Sequence, residues 1–445
     1  MSTPMPTPIA SRDQIDPRYQ WDLSNIFPSD DAFLAALDAA KAYPERIAAL
    51  KGTVAASAQG LLAFLQLDDE VDVALGKLAN YAQRKSDEDT RVARYQDFSS
   101  QVTTLCVEIA GAGSWFSNEV LSIAPQTMER FYAEEPALEL YRRNLDRIFA
   151  RREHVLSPAE EALLASAGEM AAQPDNIFSM LNDADLAFPD AVDSQGQKHP
   201  VTHGTFIPLL MEPDRALRRS AYEALYGVYR QFRNTSAATL GAQLKQLKFF
   251  SDARRYPSTL DAALAATEVP TSVYHNLIDS VHANMGAMRD YAALRKRLLG
   301  VDELRFWDLY VPVVGDVDMR FTYEEACEIV LEALKPLGEE YLAIVREGLS
   351  SRWIDVYENP GKRSGAYSAG GFGMNPMILL NFQGTLDSVF TLAHEMGHSV
   401  HTYLSCHNQP SCYSSYVIFV AEVASTCNEA LLMDWFLKNR ADDPR

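Results

Sequence analysis

Apolar residues recur every three or four positions through most of the chain and alternate with polar ones in only a few short stretches. That spacing lines one face of an α-helix, so the chain is expected to be mainly α. Three successive amphipathic helices are expected at Asp31–Ala49, Leu61–Lys85 and Arg91–Ala110. Ser157-Pro158-Ala159-Glu160 reads as a further helix start, with a Ser cap, Pro in the first turn and Glu three residues on. A short β excursion is expected between Ala187 and Thr202, where Asp193-Ser194-Gln195-Gly196 suits a hairpin turn. Helical spacing resumes near Asp214. From Asn359 to Gly373 the chain is a glycine-rich loop, after which Met377–Phe382 reads as a strand. Gln383-Gly384-Thr385 then turns into a helix expected over about Asp387–Ser405. The expected architecture is a multi-helix fold with a small β element beside that last helix. A chain of 445 residues exceeds one compact core, and boundaries are placed at about 115 and 200. They give an N-terminal helical region 1–115, a helical region with the hairpin 116–200, and a region 201–445 that carries the chemistry.

Composition narrows the function classes. Apolar residues make up 47% of the chain, ample for burial. The formal charge of −20 repels phosphates and anionic lipid, so neither nucleic acid nor a membrane is an expected partner. The five cysteines, Cys106, Cys327, Cys406, Cys412 and Cys427, are scattered and form no C-x-x-C pair. That usage fits a reducing compartment. The polar, Pro-rich start from Met1 to Ala10 has no apolar core of a signal peptide, and no run approaches a membrane span. The expected location is cytoplasmic.

The sharpest signal is His394-Glu395-Met396-Gly397-His398. Histidines four apart on a helix project from one face, one turn apart, so two imidazoles can reach one metal ion. Glu395, beside the first, can take a proton from a metal-bound water. Small and apolar neighbours, Leu392, Ala393, Met396 and Val400, fit a buried helix. Gly397 leaves room for another backbone or a ligand. A catalytic zinc needs a third protein ligand and an open fourth position. His401 lies on roughly the same face, but sharing one stretch of helix would crowd the site, and it is read as supporting a ligand from behind. Glu422 is the favoured third ligand. It is a lone carboxylate in the apolar run Ile418–Ser425, where an unpaired buried charge would be costly. Glu429, two turns further along the same face, can orient a ligand histidine.

With those residues in view the chain resembles oligoendopeptidase F, in the thimet oligopeptidase-like group of zinc metallopeptidases. The resemblance runs nearly end to end. It is carried by Tyr19–Phe27, Arg254–Ser258, Gly361–Ser368, the zinc helix Phe390–His401 and Phe419–Glu429. It implies a helical enclosure around a deep channel that admits short unfolded peptides. Carried over, His394, His398 and Glu422 would bind one zinc per chain, Glu395 would be the general base, and His401 and Glu429 would support the ligands. Two further expectations concern substrate. The strand Met377–Phe382, with Leu380 and Asn381, would offer an edge to an extended peptide. The loop Gly365-Ala366-Tyr367 onward would close over it.

The family's chains continue well beyond the third-ligand helix, and that part supplies groups that stabilise the oxyanion. Asn439–Arg445 reads as an exposed charged loop, so a truncated form is one expectation, partnered by a separate C-terminal segment of the same protein. Three readings follow: a zinc endopeptidase acting on oligopeptides, a truncated zinc- and peptide-binding module with little turnover, and a metal-free helical scaffold.

Overall fold

The structure, a computed structural model, describes residues 10–157, 160–161, 163–164, 167–171, 173–314 and 319–440. The segment before Ala10, Pro158 and Ala159 of the expected helix start, and Ala441–Arg445 lie outside the described residues. Packing divides the chain into two compact units, Met1–Arg152 with Asp318–Arg445, and Glu153–Val317. These packing breaks differ from the sequence-based boundaries at 115 and 200. The reason is that both ends of the chain build one core: Trp21, Phe33, Leu61 and Leu78 share a cluster with Met374, Met377 and Leu379.

The first unit opens with helix α1 (Asp30–Ala40), then α2 (Ala58–Glu88) and α3 (Ala93–Gly113). The single helix expected over 31–49 is two pieces, because a second helix starts at Tyr43 with Pro44 in its first turn, the one place a helix tolerates proline. Ser57 caps α2, its hydroxyl accepting from the Gly60 amide at 3.0 Å. Leu61, Phe64, Leu65, Val71, Leu78 and Tyr81 form the buried stripe of α2.

The second unit contains the expected hairpin, β1 (Ala191–Val192) antiparallel to β2 (Lys198–His199). Its helix α4 (Arg215–Gln231) packs on a small core of Ala191, Val201, Leu209, Leu217, Ala221 and Leu225. Asp308 is fully buried there and takes Arg215 at 2.8 Å and Arg218 at 3.0 Å. The helix α5 (Thr271–Leu298) is tied to the same spot by Arg295, whose Nε donates to the Asp308 carbonyl at 2.9 Å.

Back in the first unit come α6 (Tyr323–Ala333) and α7 (Glu339–Ser350), then three short strands: β3 (Ile354–Asp355), β4 (Tyr367–Ala369) and β5 (Met377–Leu379). The sheet order is β3–β5–β4, with β5 parallel to β3 and antiparallel to β4. Met377 and Leu379 point into the core built on α2, whereas Ile378 and Leu380 pack against Val389, Leu392, Ala393, Met396 and Val400. The sheet is therefore a partition, and its middle strand is buried on both faces, which is why it reads as an unbroken apolar run. Helix α8 (Leu386–Asn408) follows, capped by the Thr385 hydroxyl on the Ser388 amide, and α9 (Ile418–Asn439) crosses it. No described helix is long and apolar enough to cross a membrane.

Candidate metal centre

The centre lies where α8 and α9 cross. Their close approach depends on Gly397: a β-carbon there would fall 2.7 Å from Ser425 Cα and 2.8 Å from the Ala424 carbonyl oxygen. The room the glycine leaves is filled by the backbone of α9. Asn428, fully buried, locks the crossing by donating to the Ala393 carbonyl at 3.0 Å, and the Tyr341 hydroxyl donates to its Oδ1 at 2.9 Å.

This packing brings His394, His398 and Glu422 together, with one ligand atom from each inside 4.8 Å. Their Nε2 atoms are 3.1 Å apart, and each is 3.4 Å from Glu422 Oε2. His394 directs Nδ1 at Glu429, which fixes that nitrogen as the donor and leaves the Nε2 lone pair facing the cluster. Three acceptor atoms facing one another call for a cation. The triangle they form also has the right size: for zinc bonds of about 2.0–2.1 Å, a tetrahedral edge is about 3.3 Å. The residues present therefore fit a zinc ion.

Glu395 leaves α8 beside this cluster and is nearly buried. Burial is the main cause of its carboxyl pKa being pushed up to about 7; Glu422 adds to the rise, while His394 and the Ser368 backbone amide oppose it. Burial lowers the pKa of His398 and favours the neutral, ligating imidazole. The Ser425 hydroxyl, 2.8 Å from Glu422 Oε2, does most to hold Glu422 below the usual carboxylate range, with the two histidines adding to it.

Several expectations change. Glu422 is in place, but its side chain is 62% exposed, so its partner is not demanded by burial. His401 makes no hydrogen bond to the three candidate ligands; its ring stacks on Tyr416 at 3.7 Å, and burial lowers its pKa. The expected substrate edge at Met377–Phe382 is absent, because β5 is the central strand. Leu380 is buried with its amide on the Asp355 carbonyl at 2.8 Å. Asn381 donates to the carbonyls of Arg363 and Gly365 at 3.0 and 2.8 Å. Both side chains are spent on structure.

The open edge of the sheet, among the described residues, belongs to β4. The Ile378 and Leu380 amides bond to β3, so Met377 and Leu379 turn theirs to β4, where they face Ala369 and Tyr367. Alternation then leaves the backbone of Ser368 pointing outward, towards Glu395. The glycine-rich loop that leads here is anchored rather than free. Lys362 is buried on Asp355 at 2.7 Å, Arg363 reaches Asp87 at 3.5 Å, and the Tyr367 hydroxyl donates to Asp87 at 2.5 Å. Ser368 and Ser399 meet at 2.8 Å between hydroxyls. Gly365 and Ala366 lie at the entry to β4. Asp87, Ser425 and Asn428 carry no motif of their own, and sequence reasoning missed them.

Fold and site together have the pattern of a class: a mainly α-helical chain whose H-E-x-x-H helix is met by a glutamate from the next helix, as in zinc metallopeptidases. Comparison with known proteins agrees. Residues 209–444 match the family model for Peptidase family M3, and residues 119–188 match that for Oligopeptidase F. The chain is 42% identical to "Oligopeptidase PepF" of Bacillus subtilis, across 98% of this chain and 65% of that protein. It is 38% identical to "Group B oligopeptidase PepB" of Streptococcus agalactiae, across 97% of this chain and 72% of that protein. A putative peptidase from Chlamydophila abortus superposes with a TM-score of 0.84 at 34% identity, across 97% of this chain and 72% of that one. Oligoendopeptidase-F from Enterococcus faecium superposes at 0.65 with 35% identity, across 92% of this chain and 67% of that one. The chain thus spans about two thirds of the length of its Bacillus relative. It belongs to peptidase family M3.

Proposed function

We propose that the protein is a zinc-dependent endopeptidase acting on short oligopeptides, with one zinc held by His394, His398 and Glu422. The observation that carries this reading is the triangle of ligand atoms with sides of 3.1, 3.4 and 3.4 Å. Bound zinc would supply Lewis acidity to the attacking water and the scissile carbonyl. Glu395 takes the water proton on its carboxylate and passes it to the leaving amine; a group of raised basicity beside the cluster suits that task. Glu429 holds His394 in the ligating tautomer. An extended peptide pairs with the open edge of β4 at Ser368, which places its backbone beside Glu395. The membership of the family and the names of the relatives support peptide substrates. A cytoplasmic location fits the composition.

The test is Glu395→Gln. Purified protein is expected to retain about one equivalent of zinc by elemental analysis and to lose hydrolysis of a quenched peptide by a factor on the order of a hundred or more. Parental turnover in that variant would sink the assignment of the base, and zinc well below one equivalent in the parent would sink the site.

A further inference from the structure

The tip of the β4–β5 hairpin carries a cation that nothing in the metal centre uses. Gly371 and Met374 close a turn, the Met374 amide donating to the Gly371 carbonyl at 3.3 Å. Gly373 has φ of +72°, a conformation open to glycine at no steric cost. Against this turn stands the half-buried Lys77 of α2. A β-carbon on Gly373 would fall 3.4 Å from Lys77 Nζ and 3.5 Å from its Cε, so the ammonium lies directly over the turn. One helical turn on, Asn80 Nδ2 lies 3.9 Å from the same construction on Gly371. Lys77 has no ion pair or hydrogen bond with any described residue. Its neighbours on α2 differ: Lys85 pairs with Glu88 at 3.3 Å, and Arg84 donates to Asn80 at 2.9 Å and stacks over Tyr367. In a chain with 60 acidic and 40 basic residues, an unpaired half-buried ammonium is a cation held for something else.

Its position says what. Peptide pairing along β4 would be anchored at Ser368, beside Glu395, and the turn is five residues further along the chain (373 − 368). At about 3.4 Å per residue that is a reach of at most about 17 Å. We propose that Lys77, seated over the Gly371–Met374 turn, is a carboxylate-binding subsite. It takes an acidic side chain or the terminal carboxylate of the peptide, within about five residues of the bond cut. The inference rests on the peptidase reading for the path of the peptide. A strongly negative surface otherwise disfavours acidic peptides, so one unpaired ammonium on the path makes their binding depend on register.

The experiment uses zinc-loaded full chain in a Glu395→Gln background, so that peptides stay intact, and reads fluorescence anisotropy. Labelled decapeptides carry a single Glu walked through the sequence, each beside its Gln isostere, and each as free acid and terminal amide. A side-chain ligand is expected to show as one Glu position binding about tenfold tighter than Gln. A terminal ligand shows instead as an acid-over-amide preference of similar size. In Lys77→Met either ratio falls to near one, and Lys77→Glu reverses it in favour of Gln or of the amide. Ratios that are flat in the parent chain, or that survive in Lys77→Met, overturn the proposal, as does failure of every peptide to bind. Turnover is measured separately in the Glu395 chain: preferences without turnover would count against the peptidase reading and leave the subsite standing.

Discussion

Gly397→Ala probes how the metal centre is assembled. The new methyl would sit 2.7 Å from Ser425 Cα, whereas carbons pack at about 3.5–4.0 Å, so α9 must retreat by about 1 Å at that point. The clash is with backbone, which cannot rotate away. Alanine gains about 1 kcal/mol in helix propensity, but overpacking typically costs about 1–3 kcal/mol, so the metal-free fold loses little on balance. The metal site loses more. Glu422 lies three residues before Ser425 and moves with it, while His394 and His398 stay on α8. Ligand distances in a working site hold to about 0.2 Å, so a 1 Å retreat takes Glu422 out of range. Zinc affinity, read by competition with a chromogenic chelator, is expected to fall by about tenfold to a hundredfold. The zinc-dependent rise in melting temperature should shrink with it at fixed metal concentration. Gly227→Ala, on a helix with no atom within 4 Å of the added carbon, is the control and should stabilise slightly. If Gly397→Ala bound zinc within twofold of the parent, the argument that this glycine sets the helix crossing would be refuted.

Two further perturbations separate the site from its frame. Tyr367→Phe removes one donor from Asp87, which is 1% exposed, and should cost about 1–3 kcal/mol in urea unfolding. Because the change loosens β4 and not the ligand triangle, KM for peptides should rise while zinc affinity holds; weakened zinc binding would contradict that division. Asp308→Ala strands Arg218 in the core of the second unit and should cost about 3–5 kcal/mol. Burial raises the Asp308 pKa, but Arg215 and Arg218 outweigh it, so the net shift is downward. A carboxylate with a lowered folded pKa stabilises above its unfolded pKa and loses that contribution as pH falls through the folded value. The gap between parent and variant, measured by thermal melts, should therefore close on acidification; a gap that widens would reverse the sign.

The pair His394 and His398, with Glu395 between, was legible because four-residue spacing on one helix is a local property. Glu422 does stand with the two histidines, but the argument that singled it out does not hold. The apolar run around it suggested burial, but Ile418, Phe419 and Val423 are 77%, 59% and 64% exposed. The edge strand was misplaced although its signal was present. Met377-Ile378-Leu379-Leu380 has no alternation, and an unbroken apolar strand is covered on both faces, hence central. Tyr367 was read as a closing residue because glycine neighbours imply freedom; its hydroxyl is instead held by Asp87, 280 positions away. No local pattern records such a contact. The same holds for the first packing unit, whose core joins residues from both ends of the chain.

Helix α9 meets α8 along a seam that is polar in its first half and apolar towards its end. Its face towards α8 carries Glu422, Ser425, Asn428 and Glu429, then Leu432 and Phe436, whose ring stacks on Phe390 of α8, while Ile418, Phe419, Val423, Met433 and Leu437 are exposed. Apolar packing alone specifies a seam loosely, since similar side chains can exchange places across a slip of one turn. Here a slip would strand the buried Asn428 without the Ala393 carbonyl, remove Glu429 from His394 and set Gly397 against the wrong part of α9. Each loss leaves a polar group unpaired or a backbone in collision, at a cost of order 1–3 kcal/mol apiece. The polar seam therefore fixes one register, and that register is the one that brings Glu422 Oε2 to 3.4 Å from both imidazoles.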